Sequence, residues 1–256
     1  MAAQPDGLGQ LELERGGGSA FAGDDLFTRA VRDYAAAVGH VEILEAGCGR
    51  EWTLDLPDVD YRLTGVDIDA EALRFRHEVQ GDLDATIVGD LRTVDIPDGS
   101  FDVIFNSFVL EHVSGARQVL DRFERWLKPG GLLLLRMPDR DTVWGAATRM
   151  TPFRLHVLYK RWVRREPDAG TVGHGPYPTV YDEVVSRRGI HRYCQERGLA
   201  VRAELGSNYH LKFFGPLAPV VGGALKGAEL LSLGRLQADH ANLALVISKP
   251  SSAPLG

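Results

Sequence analysis

VEILEAGCGREWTLDLPDVDYRLTGVDID, Val41 to Asp69, decides the architecture of this chain. A short apolar run, Val41 to Leu44, ends in Glu45 and the glycine turn Ala46-Gly47-Cys48-Gly49. About twenty residues on, a second short run ends in another acid, Asp67. Buried strand, glycine turn, helix, strand and acid are how a nucleotide-binding crossover unit looks in sequence. Glycines in the turn let the backbone approach a ligand closely, because a Cβ there would collide with it. An acid at the tip of the second strand can accept both hydroxyls of a ribose.

The turn itself narrows the choice of nucleotide. A dinucleotide fingerprint, G-x-G-x-x-G, needs a third glycine, and Trp52 holds that place. The charge of Glu45 just before the turn disfavours a pyrophosphate and suits a ligand with a cationic end. The run Glu45-Ala46-Gly47-Cys48-Gly49-Arg50-Glu51 resembles motif I of the class I S-adenosylmethionine-dependent methyltransferases, E/D-x-G-x-G-x-G, with Glu51 standing at its last glycine. The resemblance runs from about Val41 to Pro138. It returns at Pro178-Thr179-Val180-Tyr181, at the helix ending Arg197-Gly198-Leu199-Ala200-Val201, and at Ala241 to Pro250. These landmarks are similar to the small-molecule group of that family, the ubiquinone/menaquinone and glycan-cluster types (methyltransferase type 11-like).

Working outward, alternating strand and helix signals predict an α/β fold: a Rossmann-like, doubly wound, seven-stranded, mostly parallel sheet with a helical cap inserted after the fifth strand. The strands are expected at Val41–Glu45, Arg62–Val66, Ala85–Val88, Phe101–Phe105, Leu132–Met137, Leu199–Leu205 and Asn242–Ser248. Residues 1–23 read as a mobile arm, with GGG at Gly16 to Gly18. Asp24 or Asp25 is placed to cap a helix that Gly39 stops near Val38. A short, weak helix is expected before Pro57, a charged one over Ala70–Val79, and an amphipathic one over Arg117–Leu127. Residues 24–138 form the cofactor-binding core and 139–181 the cap. Within the cap, a helix is read over Leu155–Arg165 and a glycine- and proline-rich loop over Gly170–Pro178. Residues 182–250 complete the core, with a helix over Asp182–Gly198 and an apolar segment, 217–236, broken at Pro219, Gly222 and Gly223.

Composition bounds the function. The 256 residues are 44% hydrophobic and 25% charged, ordinary for a globular domain, and the net charge of −6 argues against nucleic-acid phosphates as a partner. Two cysteines, Cys48 and Cys194, form neither a disulfide framework nor a zinc pattern. With no secretory signal and no spanning-length apolar run, a cytoplasmic location and no transmembrane segment are expected.

Carried over residue by residue, the resemblance implies S-adenosyl-L-methionine as cofactor, with S-adenosyl-L-homocysteine as product. Glu45 and the Gly47-Cys48-Gly49 backbone would hold its methionine half, and Asp67 its ribose, with Ile68 on the adenine. Asp90 would take the adenine amino group, with the Leu91 amide on a ring nitrogen. Asn106 would lie beside the methionine end. Asp67 also reads as a plain turn acid and Asp90 as a helix cap.

Methyl transfer is an in-line displacement in which the protein mainly aligns the partners. An oxygen nucleophile also needs a base, and His112 is the candidate, against the plainer reading of a helix-start histidine. Glu111, His174, Tyr177 and Tyr181 are the candidate substrate residues, with His210 behind them. No metal site is expected. The cations of Arg149 to Arg165 suit a solvated helix face, or else an anionic substrate or membrane surface, and the apolar segment suits core or a homodimer face before a peripheral membrane contact. The leading expectation is an enzyme, a methyltransferase acting on a small hydrophobic or anionic acceptor, by O-methylation. Its rival is a non-catalytic binding or scaffold protein of the same fold. A nicotinamide oxidoreductase is disfavoured by the missing third glycine, and an NPPY-type amine motif is absent, Asn106-Ser107-Phe108-Val109 standing in its place.

Overall fold

The computed structural model describes residues 11–13, 23–162, 167 and 177–251. The elements run β1 (Glu12–Leu13), α1 (Asp24–Val38), β2 (Val41–Ala46), β3 (Tyr61–Asp67), α2 (Ala70–Arg74), β4 (Ala85–Val88), β5 (Phe101–Ser107), α3 (Ala116–Trp126) and β6 (Leu127–Pro138). They continue with α4 (Val143–Met150), α5 (Phe153–Trp162), α6 (Arg187–Arg197), β7 (Ala200–Ser207), α7 (Ala218–Leu231) and β8 (Asn242–Ser248). All strands join one sheet in the order β1-β7-β8-β6-β5-β2-β3-β4. Only β8 runs antiparallel to its neighbours, and every other pairing is parallel. This is the Rossmann-like, doubly wound arrangement expected, with one more strand than the seven predicted.

The period of two in the central strands builds both faces. Ile43, Val103 and Leu134 pack on one side with Phe27 and Val31 of α1. Their neighbours Leu44, Ile104 and Leu133 pack on the other with Val119, Phe123 and Trp126 of α3 and Ile190 and Tyr193 of α6. Each such large side chain, fully buried, contributes ~1.5–3 kcal/mol.

Four expectations are corrected. The arm read over residues 1–23 is held at Leu11–Leu13: β1 pairs with β7, and Leu11 is buried where Gly206 has no Cβ to meet it. Neither Asp24 nor Asp25 caps α1. Both lie in its first turn, Gly23 precedes it, and a Cβ at Gly23 would stand 2.4 Å from Ala244 of β8. No helix forms between β2 and β3. Leu54 and Leu56 are both buried, two apart as in extended chain, Pro57 follows, and Trp52 packs edge-on against Phe105 at 5.6 Å. The helix read from Asp182 starts at Arg187, because Ser186 accepts from the Gly189 amide and caps it there.

Two further differences have simple causes. Gly222 and Gly223 do not interrupt α7, and Pro219 sits in its first turn, where its missing N–H costs no hydrogen bond. After α2 the chain widens into a π-type turn over Phe75–Gln80, which buries Arg76.

Candidate cofactor and acceptor site

The carboxyl ends of β2, β3, β4 and β5 lie side by side through parallel registers such as Ala46–Val66 and Asp67–Val88. In open α/β sheets ligands bind outside these ends. The glycine turn leaves β2 with its amides turned toward β3: Gly47 and Cys48 donate to the Val66 carbonyl at 2.7 and 3.2 Å. Gly49 has φ +53 and would place a Cβ in open space, so the turn is uncovered there. Gly47, at φ +73, would drive a Cβ to 2.5 Å from Val109 Cγ2. The missing side chain thus lets the loop after β5 sit directly on the turn.

Asp67 is half-buried at the tip of β3. Its carboxylate accepts from the Gly49 amide at 2.9 Å and the Asp69 amide at 2.9 Å, one on each oxygen. Backbone groups thus fix its direction, and the remaining lone pairs can accept two hydroxyls. Ile68 beside it is 75% exposed, an apolar face with no protein cover. At β4, Gly89 donates to the Asp67 carbonyl at 2.9 Å, bringing Asp90 and Leu91 alongside.

Two of the expected ligand acids are already engaged. The Glu45 carboxylate is buried and accepts from Arg76 Nη1 at 2.7 Å. Arg76 is fully buried, also pairs with Asp82 at 2.9 Å, and donates to the Cys48 carbonyl at 3.0 Å. Burial pushes the Glu45 carboxyl up, and the guanidinium pulls it back. Glu45 therefore braces the glycine turn from behind. Asp90 accepts from Arg92 Nε at 3.0 Å and from the Arg92 amide at 2.8 Å, contacts that hold its carboxyl below the usual range. Arg92 in turn reaches Ser114 Oγ at 3.1 Å. Cys48 is buried with its sulfur toward Gly65 of β3, so only its backbone is turned to the site.

Asn106, at the tip of β5, donates from Nδ2 to the Ala46 carbonyl at 2.7 Å, while its buried Oδ1 has no partner. An orphaned buried acceptor beside the turn fits a ligand that brings a donor, such as an ammonium group. Together with the open Gly49 and the braced Asp67, it makes the cradle suited to a cationic nucleoside. Glu51, at the last motif position, is exposed and blocks nothing.

The loop after β5 carries the other half. Leu110–His112 form a single 3₁₀ turn whose His112 amide donates to the Val109 carbonyl at 2.9 Å. The segment from Tyr177 lies against it: Val180 donates to the Glu111 carbonyl at 2.8 Å, and His112 Nδ1 contacts the Pro178 carbonyl at 2.9 Å. That contact requires the proton on Nδ1 and leaves the Nε2 lone pair available. The Tyr177 ring meets the imidazole edge-on at 5.8 Å. Burial holds His112 below the ordinary histidine value, so the ring is neutral at pH 7.

Glu111 is fully buried with Oε2 unpartnered, and burial pushes its carboxyl up to about 8. It is thus a neutral acid, 3.8 Å from His112 Nε2. Tyr181 is buried nearby, and its φ of +50 is rare for a tyrosine. Phe108, at φ +55, shows the same conformation on the other side of the turn. Such strain, ~1–3 kcal/mol each, gathers at functional sites. The structure therefore brings Glu111, His112, Tyr177 and Tyr181 together. His210 is placed elsewhere, against Trp144 at 5.3 Å, and His174 lies outside the described residues.

Three participants were not foreseen. Arg76 looks like any cation of a charged helix, and only the π-type turn makes it the buried one. Arg92 had a signal in its spacing from Asp90. Arg140, whose Nη1 donates to the Tyr181 carbonyl at 3.0 Å, had none.

Comparison with known proteins bears on the domain and the fold. A family model, the methyltransferase domain, matches residues 44–135. A probable S-adenosylmethionine-dependent methyltransferase of Mycolicibacterium smegmatis is 34% identical over 119 residues, 46% of each chain. A malonyl-[acyl-carrier protein] O-methyltransferase of Xylella fastidiosa is 41% identical over 59 residues, 23% of this chain and 20% of that protein. The chain thus spans less than half the length of these curated relatives. Among solved structures, a putative sarcosine dimethylglycine methyltransferase from Galdieria sulphuraria superposes with TM-score 0.55 at 12% identity, over 90% of this chain and 86% of that one. The [4+2]-cyclase SpnF superposes with TM-score 0.54 at 16% identity, over 94% and 86%. At such identities the likeness is one of fold. Residues 44–135 thus match a methyltransferase domain, and over that stretch the chain is similar to S-adenosylmethionine-dependent methyltransferases.

Proposed function

We propose that this chain transfers a methyl group from S-adenosylmethionine to an oxygen of a small acceptor, with His112 as general base. Asp67 would hold the ribose, the uncovered backbone at Gly49 and the Asn106 Oδ1 the methionine end, and Ile68 and the Leu91 amide the adenine. The cofactor, when bound, supplies a methyl on a positively charged sulfur. The chain's own residues hold the acceptor in line and take its proton at His112 Nε2. The single observation that carries the reading is the neutral imidazole, its Nδ1 fixed by the Pro178 carbonyl and its Nε2 free, one 3₁₀ turn from the glycine turn that Val109 touches. Glu111 stands beside the ring that takes the proton, its Oε1 3.8 Å from His112 Nε2. Helices α4 and α5 and the Tyr177–Tyr181 segment would cover the acceptor.

The test combines calorimetry with S-adenosylhomocysteine and transfer of a labelled methyl group. Binding by the wild-type chain, reduced about 10- to 100-fold in Asp67→Ala, is expected from the loss of charged hydrogen bonds. Indistinguishable curves for the two proteins would sink the reading.

A second reading, a non-catalytic protein of the same fold, is favoured by one fact: two of the acids expected at the ligand, Glu45 and Asp90, are held by Arg76 and Arg92. Cofactor binding with no labelled product from any acceptor extract would support it over the first.

A further inference from the structure

We infer that α4, α5, α7 and the 3₁₀ stretch Tyr209–Leu217 form a surface that docks on an anionic lipid bilayer, so that the acceptor is a membrane-resident molecule. The second half of that statement rests on the methyl-transfer reading, and the first half does not.

The charge of the chain is segregated. Residues 143–162 and 209–235 contain seven cations, Arg149, Arg154, Lys160, Arg161, Lys212, Lys226 and Arg235, and one acid, Glu229, whereas the whole chain carries −6. The single acid is neutralised locally by Lys226 at 2.8 Å.

The same segments hold the largest exposed apolar side chains. Helix α7 buries only Leu225, while Leu231 is 88% exposed and Leu230 76%. Met150, at the end of α4, is 85% exposed, and Trp162, at the end of α5, 78%. The two parts form one face: α4 packs against α7, and the Trp144 ring stacks on Phe214 at 6.1 Å and donates to Asn208 Oδ1 at 3.0 Å. Large apolar groups left in water, ringed by cations and an aromatic, match an interfacial helix that buries its apolar side among acyl chains and its basic stems among headgroups. None of the described helices is long and apolar enough to cross a membrane, so the surface would lie on the bilayer.

Topology sets this face beside the reacting centre. β6 and β7 both run antiparallel to β8, and β6 runs parallel to β5, which runs parallel to β2. The chain therefore leaves β6 toward α4, and β7 toward Tyr209, at the same sheet edge that carries the glycine turn. The other occupant of an apolar face, a second copy, is disfavoured by charge. A twofold interface would set these like-charged segments against themselves, with nearly no acid to offset them. An anionic surface attracts the cations and repels the rest of the chain, which orients the molecule with this face inward.

The experiment is co-sedimentation of the full chain with vesicles of phosphatidylcholine alone and of phosphatidylcholine with phosphatidylglycerol, at low and high salt. Binding to the anionic vesicles should exceed binding to the neutral ones at least tenfold and fall with salt. Arg149→Glu with Arg154→Glu should cost roughly fivefold or more per position. Leu230→Glu with Leu231→Glu should abolish binding while circular dichroism and S-adenosylhomocysteine calorimetry remain as in the wild type, since both side chains are exposed. Equal partition onto both vesicles, or variants that bind as the wild type does, would overturn the inference. So would a dimer dissociated by the leucine substitutions in a chain that ignores vesicles, which would assign the face to a second copy. A chain that binds anionic vesicles but not S-adenosylhomocysteine would defeat the methyl-transfer reading and leave the docking surface standing.

Discussion

The two halves of the site are made of different material. On the cofactor side the ligand-facing groups are strand tips and backbone amides: Gly49 is open, and Asp67 is aimed by two N–H groups. On the acceptor side they are side chains on irregular chain, held by contacts between segments about 66 residues apart, such as His112 with Pro178. The first half is rigid because a buried parallel sheet cannot shift its register without exposing its core. The second depends on a few hydrogen bonds and two strained residues, Phe108 and Tyr181. Chemistry that must be common to a family can sit on the first half, and whatever sets one acceptor apart from another belongs to the second.

The strongest way to separate the halves is to remove the base. His112→Gln should lower turnover by about 10²–10⁴ while S-adenosylhomocysteine affinity stays within twofold, because in the proposed reaction the imidazole serves only the acceptor proton. The wild-type rate should fall with acid through a pKa below the ordinary histidine value, since burial favours the neutral ring, and this limb should vanish in the variant. Equal loss of cofactor binding and turnover would mean that the histidine merely shapes the turn.

The next test strikes the sheet side from behind. Glu45→Gln leaves Arg76 buried with less counter-charge and should destabilise the fold by about 3 kcal/mol in urea unfolding. Its effect on cofactor affinity should be only a few-fold, in contrast to Asp67→Ala. The reverse pattern would restore Glu45 as a direct ligand contact.

That pair of acids also marks how far the sequence could be read. Strand, glycine turn and acid are local patterns dictated by backbone geometry, so the sheet, the turn and Asp67 were legible, and the bounds of β4 and β8 were legible to the residue. Glu45 and Asp67 look alike in sequence, each an acid at a strand end. What distinguishes them is the π-type turn that swings Arg76 under the sheet, a tertiary event without a local signature. Asp90 differs again: its partner, Arg92, is local, two residues on. The crossover between β2 and β3 was misread because helix and extended chain compete closely in a short apolar segment, and burial of Leu54 and Leu56 decided the contest. Glu111, His112, Tyr177 and Tyr181 were each nameable as reactive types, but only the fold joins a turn at residue 111 to a segment at residue 180.

A third test concerns the seam where α4 joins the sheet. His240 is fully buried between Asp139 at 3.0 Å and Asp239 at 2.7 Å. Burial alone would lower its pKa, but the two carboxylates overcome this and raise it to about 9 from 6.5. A raised folded value means that the charged histidine stabilises the native state fully below pH 6.5 and loses this contribution as pH climbs through about 9. Up to ~3 kcal/mol should disappear across that window. Melting followed from pH 6 to 10 should show the decline in the wild type and a flatter profile in His240→Gln. Identical profiles would remove His240 as the origin.

The smallest effect tests whether the sheet side stands ready for its cofactor. Asp90 is a third exposed, and its carboxylate is taken up by Arg92, itself 39% exposed and stretched between Asp90 and Ser114. A ligand that needs Asp90 must share it with this guanidinium or displace it, and an ion pair so open to water is weak. Arg92→Ala should therefore tighten S-adenosylhomocysteine binding by about threefold, a change calorimetry resolves, and the gain should shrink at high salt, where the competing pair is already weakened. Unchanged affinity would show that Asp90 serves only to hold its turn. Weaker binding would show that Arg92 itself reaches the nucleoside. In that second case the cofactor side would depend, like the acceptor side, on a side chain that no backbone pattern announces, and the contrast between the two halves would narrow to Gly49 and Asp67.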